Sequence, residues 1–443
     1  MQLFQKRKWV YSFTAICFTL AALCLFWTLR EIPKEVKEAA KAEKISEFRA
    51  KLSEKIGPSI LANHFIDEID LQQNGSNVAA KVEYTIDPTL QAAANKLLKS
   101  YKPDYGAIVM LDAASGRILA LASFQKADEN APNLALRGTF PAASVFKIIT
   151  ATAALDRYKV TPDTLVMFNG GNHTLYKKNV MSDKKNRWSR EITLRDAFAR
   201  SINTVFGRLT LERMAPQDIE DYAIRFGFNK NIHSDLPFDS GFTEIPKEKN
   251  FHLTEMASGF NKVTRMSPMQ GAMIASAVAE DGVMHVPYIV ERVRNSTGEV
   301  IFQSEPVVEA VTMSPRGADQ LKELMEATIT KGTSRKSFRT LVRDRHFKEL
   351  VIGGKTGSLT GDDPKGKVDW FVGYAMNENQ RIAIGALTVN VKKWTVKSSF
   401  MAQTMFRTHF KEQFSRENEK FFNAKAAAAQ SAERETASTR AGE

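Results

Sequence analysis

The chain has 443 residues, 43% hydrophobic and 25% charged, with 62 Lys and Arg against 50 Asp and Glu, a formal net charge of +12. That composition is globular, and the length suits one large domain with appendages. The basic residues are interleaved with acids and form no arginine stripe or nucleic-acid motif, which argues against nucleic acid and leaves an anionic polymer or phospholipid as the facing surface.

Residues Trp9 to Leu29 carry no charge, and Lys6-Arg7-Lys8 precede them. About 20 apolar residues span a bilayer core. Trp9, Tyr11 and Trp27 sit near the two ends, where interfacial aromatics belong, and the basic flank predicts residues 1–8 in the cytoplasm and the rest exported. A cleaved signal peptide is the rival reading. The length of the run and the lack of a small-x-small site near its end favour an uncleaved single-pass anchor. Both cysteines, Cys17 and Cys24, fall inside it. The exported part then has neither a disulfide framework nor thiolate catalysis.

Residues 30–80 read as a charged helical stalk or linker. Val36, Ala40, Ile45, Phe48, Leu52 and Ile56 keep near-helical spacing until Gly57-Pro58, where the helix is expected to stop. A folded domain is expected over 81–423. Asp87 before Pro88 predicts a capped helix with the apolar face Leu90, Ala94, Leu97, Leu98 and Tyr101. Ala107–Leu111 and Ile118–Ala122 read as two strands of a hairpin joined through Asp112–Gly116.

The next stretch, Phe140-Pro-Ala-Ala-Ser-Val-Phe-Lys-Ile-Ile-Thr-Ala-Thr-Ala-Ala-Leu155, is apolar on every side except for Ser144, Lys147 and two threonines. Pro141 suits the first turn of a helix, and an all-round apolar helix is a buried one. Lys147, three residues after Ser144, would then lie beside the serine hydroxyl with its pKa lowered by burial. That pairing is a candidate activated nucleophile. Ser182 and Lys185 repeat the spacing in a polar run with nothing to bury them.

Ile192–Phe206 reads as a helix capped at Thr193, a polar break at Ser201-Ile-Asn203, and a renewed apolar face. Leu350-Val-Ile-Gly-Gly-Lys-Thr-Gly-Ser358 reads as a strand whose glycine pair admits a close neighbour. It brings Lys355, Thr356, Gly357 and Ser358 with it. A loop from Leu359 to Val368 is expected before the strand Asp369–Tyr374, and Ile382–Val389 adds another. Phe400–Phe422 has a helical pattern, and 424–443 reads as a disordered tail. The seven histidines are dispersed, so no metal site is expected. No phosphate loop or dinucleotide fingerprint is present, so no cofactor is expected.

Ser144-x-x-Lys147, Ser201-x-Asn203 and Lys355-Thr356-Gly357, in that order, resemble the three motifs of the penicillin-binding, active-site-serine family. Thr85–Gln91, Gly106–Ala120, Ile192–Asn203 and Trp370–Tyr374 also look like transpeptidase segments, and the resemblance covers residues 80 to 410. Ala143 stands where many relatives have glycine, and Ser358 where threonine is common. Larger members carry a glycosyltransferase or pedestal domain where this chain has only residues 30–80, so the resemblance implies no glycan polymerase here.

The resemblance implies an α/β (α+β) fold, with a five-stranded antiparallel sheet flanked by helices and an all-helical lobe beside it. It also implies acyl transfer from peptidoglycan stem peptides ending in D-Ala-D-Ala, and β-lactam binding. Ser144 would be the nucleophile, Lys147 the proton acceptor, Ser201 the relay and Asn203 the positioning group. Lys355, Thr356 and Ser358 would hold the substrate carboxylate, with Ser144 and Ser358 backbone N–H groups as the oxyanion hole. An acceptor amine gives a cross-link and water a trimmed peptide. A D,D-carboxypeptidase, a β-lactamase or penicillin sensor, and an idle wall scaffold are the alternatives. Membrane lipid and a separate membrane glycosyltransferase are the expected partners, in a bacterial inner membrane with the domain facing the periplasm.

Overall fold

The computed structural model describes residues 34–73 and 76–411. The uncharged stretch 9–29 and the tail 424–443 lie outside these residues. Among the described residues no helix is long and apolar enough to cross a membrane.

The helices that build the core and the site include α1 (Lys34–Leu61), α2 (Pro88–Tyr101), α3 (Lys147–Arg157), α4 (Leu194–Ala199), α5 (Asn203–Arg213), α6 (Phe251–Ala257), α7 (Pro268–Ala279), α8 (Pro315–Thr330) and α9 (398–411). The strands of the two larger sheets are β1 (Glu68–Gln73), β2 (Ser76–Tyr84), β3 (Tyr105–Asp112), β4 (Ile118–Gln125), β5 (Val290–Asn295), β6 (Val300–Gln303), β7 (Val351–Asp362), β8 (Lys365–Met376) and β9 (Arg381–Asn390).

Five strands form one antiparallel sheet in the order β7-β8-β9-β3-β4. Successive side chains on a strand face opposite ways, and β3 uses both faces. Val109 and Leu111 enter the core shared with α3, α7 and α8, while Ile108 and Met110 enter a second core with α2 and α9. A strand buried on both sides reads as a continuous apolar run, which is why Ala107–Leu111 shows no alternation. The glycine pair of β7 admits two aromatic rings from β8. A Cβ on Gly353 would lie 2.4 Å from Tyr374, and one on Gly354 2.4 Å from Phe371.

Asp87 caps α2, accepting from the backbone N–H groups of Thr89 and Leu90. The expected loop 359–368 is shorter than the sequence suggested, because Leu359↔Val368 through Asp362↔Lys365 remain paired and only a tight turn connects β7 to β8. Leu359 packs on the core and Val368 is fully buried, so the alternating apolar positions keep both strands on the sheet.

The segment before residue 81 also differs from expectation. Gly57-Pro58 does not end α1, which runs to Leu61 with Pro58 on its exposed side. The extra turn buries Ile60, and Ala62 N–H still finds Pro58 O at 3.1 Å. Arg49, Leu52, Ile56 and Ile60 are all fully buried, at the three- and four-residue spacing of one helix face. Phe48 stacks on Phe302 of β6 at 4.2 Å. A second antiparallel sheet, β1-β2-β5-β6, completes this region. A linker ending at residue 80 does not describe it, since position 81 lies within β2 and α1 belongs to the domain core.

Candidate active site

The site lies where the β7 edge meets the helical lobe. Phe140-Pro141 forms a short strand with Arg265-Met266 instead of opening a helix. Trp370 of β8 donates its indole N–H to Pro141 O at 2.9 Å, tying this strand to the sheet. Ala143 then takes a left-handed backbone, φ +49°, and a tight turn over Ala143–Phe146 precedes α3. That turn presents Ser144 half-exposed, while Lys147 at the start of α3 is fully buried.

Lys147 Nζ lies 2.8 Å from Ser144 Oγ, 2.7 Å from Asn203 Oδ1 and 2.5 Å from Ser258 O. Burial, followed by the nearby Lys355 charge, holds its ammonium well below the usual lysine range. The second lysine, Lys355, is also fully buried. Its Nζ donates to Ser201 Oγ at 2.9 Å and to Thr356 O at 2.8 Å, and burial brings its pKa down to about 7. Aromatic rings line this interior: Lys147 Nζ is 5.5 Å from the Phe206 ring and Lys355 Nζ 5.5 Å from that of Phe198. Two amines in so dry a place favour their neutral forms.

The turns facing these lysines share one construction. Helix α4 ends with Ser201 N–H to Phe198 O and Ile202 N–H to Ala197 O, with Ser201 at φ +57°. That is a Schellman ending, whose left-handed position usually belongs to glycine. A serine there carries a backbone cost of ~1 kcal/mol and sits 7% exposed beside Lys355. Helix α6 ends the same way, through Gly259 N–H to Met256 O and Phe260 N–H to Glu255 O, with Gly259 at φ +64°. Asn203 is held from behind, its backbone N–H on Asn172 O and its side-chain amide on His173 O, each 3.0 Å.

Ser144, Lys147, Ser201, Asn203, Lys355, Thr356 and Ser358 therefore converge on one cleft, with Gly357 between the last two on β7. A Cβ on Gly357 would lie 3.2 Å from Ala142 O, so glycine lets the strand and the Ser144 turn approach. Ser182 and Lys185 lie elsewhere, and Lys185 is paired with Glu191. Sequence reasoning missed several groups that line the same cleft: His173, Gly259, Phe260, Thr333, Asp369, Lys397 and Ser399. Thr333 Oγ1 meets Thr356 Oγ1 at 2.6 Å. Pairing register could have found Asp369, because it stands opposite Ser358. No comparable signal marked the others. Among the described residues no cluster could hold a metal ion.

A sheet edge carrying a lysine–hydroxyl strand, facing a half-exposed serine on a buried lysine, defines an active-site-serine acyl-transfer fold. Residues 106–411 match the family model for the penicillin binding protein transpeptidase domain, and the chain belongs to that family. It is 23% identical over 303 residues to Stage V sporulation protein D of Bacillus subtilis, spanning 66% of this chain and 45% of that one. It is 25% identical over 352 residues to the peptidoglycan D,D-transpeptidase PbpA of Mycolicibacterium smegmatis, spanning 69% and 66% respectively. In each case less than two thirds of the relative's length is matched. The fold resembles the imipenem acyl-enzyme complex of penicillin-binding protein A from M. tuberculosis, with TM-score 0.62 and 22% identity over 74% of this chain and 79% of the other. It also resembles the D,D-transpeptidase domain of a peptidoglycan glycosyltransferase from Eggerthella lenta, with TM-score 0.62 and 22% identity over 79% and 97%.

Proposed function

We propose that this chain is a serine D,D-transpeptidase that cross-links peptidoglycan through an acyl-enzyme on Ser144, and that β-lactams acylate the same residue. The observation that carries this reading is the fully buried Lys147, within hydrogen-bond distance of both Ser144 Oγ and Asn203 Oδ1. A neutral Lys147 takes the hydroxyl proton as Ser144 Oγ bonds to the penultimate carbonyl carbon. The carbonyl electrons move to its oxygen, which the N–H groups of Ser144 and Ser358 receive. As the tetrahedral centre collapses, the C–N bond breaks, Ser201 passes its proton to the departing D-Ala amine, and the proton held by Lys147 restores the Ser201 hydroxyl. Lys355, Thr356 and Ser358 hold the terminal carboxylate, and Asn203 keeps Lys147 and the peptide backbone in line. An acceptor amine then attacks the ester carbonyl and gives its proton back through Ser201 and Lys147, the C–O bond breaks, and Ser144 leaves with the returned proton.

The same reading places the domain on the outer face of a bacterial cytoplasmic membrane, anchored through residues 9–29, with a separate membrane glycosyltransferase supplying glycan strands. Incubating the protein with a D-Ala-D-Ala stem peptide and an amine acceptor tests the reaction. Free D-Ala together with a peptide–acceptor amide is expected. Release of D-Ala with no amide would mark a carboxypeptidase, and no release would refute the proposal.

A further inference from the structure

Asp369 has no part in the reaction above, yet it lines the cleft while only 5% exposed. It stands opposite Ser358 in the β7–β8 pairing and opposite Thr388 in the β8–β9 pairing. Its Oδ2 accepts the Ser398 backbone N–H at 2.8 Å, and its Oδ1 accepts the Ser358 hydroxyl at 3.2 Å. The charge acting on it is Lys397, exposed at the cleft mouth; Lys367, two residues away on β8, is exposed to solvent.

Ser358 has one hydroxyl hydrogen. While that hydrogen points at an ionised Asp369, it cannot also point at the carboxylate of a substrate. The ionised Asp369 also sets a negative charge beside the place an anion must occupy. A protonated Asp369 reverses both effects: its own O–H donates to Ser358 Oγ, the serine hydrogen turns toward the cleft, and the charge is gone. We propose that Asp369 is a positioning residue that governs, through the direction of the Ser358 hydrogen bond, how strongly the cleft holds an anionic substrate. The step is a proton exchange with solvent and breaks no other bond. Burial raises the Asp369 carboxyl to about 6, so the exchange falls in a range an extracytoplasmic enzyme can meet. The inference rests on the proposed reading that Ser358 receives the substrate carboxylate.

The test is the second-order rate of acylation by benzylpenicillin between about pH 5 and pH 8, for the full chain and for Asp369→Asn, Asp369→Ala and Ser358→Ala. An asparagine amide can donate to Ser358 Oγ at every pH. Asp369→Asn should therefore be about tenfold faster than wild type at pH 8, with the ratio closing toward one by pH 5. Asp369→Ala should follow the same trend without the donor. The ratio of wild type to Ser358→Ala should grow as pH falls through about 6, and it needs no change at Asp369 should those variants misfold. Lys355 titrates in all these proteins, so only the ratios isolate Asp369. Ratios that stay constant across the range overturn the inference, and so does an Asp369→Asn protein slower than wild type at pH 8. If the wild type takes up no penicillin at any pH, it is the acyl-transfer reading that fails.

Discussion

Gly259→Ala probes the packing behind the nucleophile without touching a reacting group. Gly259 has φ +64°, and a Cβ built there would lie 1.9 Å from Ala143 O and 3.1 Å from Ser144 N. Real Cβ contacts essentially never fall below 3.0 Å, so the two backbones must part by about 1.1 Å. Both neighbours are main chain, so no flexible side chain can absorb the movement. The left-handed φ adds a strain of ~1–2 kcal/mol for alanine, which lowers Tm by a few degrees in a domain of this size. The larger effect should be kinetic, because a misplacement of about 1 Å in a reacting group can cost ~100-fold. Gly259 also follows Ser258, whose carbonyl accepts from Lys147, so serine and lysine would be disturbed together. Stopped-flow acylation with a chromogenic cephalosporin, beside a melting curve, separates the two effects. A folded Gly259→Ala protein acylated at the wild-type rate would refute the claim that this contact sets the position of Ser144.

Ser201→Gly relieves the left-handed backbone at the end of α4, up to ~1 kcal/mol, but takes from buried Lys355 its Ser201 partner, a cost of ~1–3 kcal/mol, so stability should stay level or fall. Turnover should fall ~100-fold or more, since the relay hydroxyl is gone. A melting curve and a D-Ala release assay on one sample check both signs. Lys147→Arg should not acylate at neutral pH, because a guanidinium keeps its proton. Appreciable penicillin uptake by that variant would remove Lys147 as the base. A fragment beginning at residue 57 loses Arg49, Leu52 and Ile56, all fully buried. The two aliphatic side chains alone carry ~3–6 kcal/mol, comparable to a domain's whole stability. That fragment should unfold or aggregate, whereas one beginning at residue 34 should melt like the longer chain; equal melting temperatures would show that α1 is dispensable.

The polar residues of the site were legible because each stands out against its surroundings. A lysine in the run Val145–Leu155 has no cheap place to go, and Lys355 follows two glycines that only a crowded strand requires. Asp87 and Thr193 likewise announce their helices, and both cap as read. What stayed hidden depended on contacts far apart in sequence. Gly57-Pro58 looks like a stop, yet the burial of Ile60 outweighs one missing N–H on an exposed face. Strands β1 and β2 pair with Ile69 and Leu71 set against Val78, Ala80 and Val82, an alternation that the charges of the region conceal. Their partners β5 and β6 lie some two hundred residues away, beyond any local pattern. In sequence Asp369 looks like the start of an apolar strand, and only its partner across the sheet, Ser358, reveals it as part of the cleft. Ala143 stands where glycine is common among relatives, and its φ of +49° is the left-handed backbone that glycine takes without strain.

Ser144, as the acylated nucleophile, should carry the adduct of any β-lactam that reacts. The most direct measurement is the intact mass of the protein after exposure to benzylpenicillin, followed by peptide mapping. A single adduct of one penicillin, located on the peptide carrying Ser144, retained in Ser182→Ala and absent from a folded Ser144→Ala protein, is the predicted result. An adduct that persists in Ser144→Ala, or one that maps to Ser182, would contradict it.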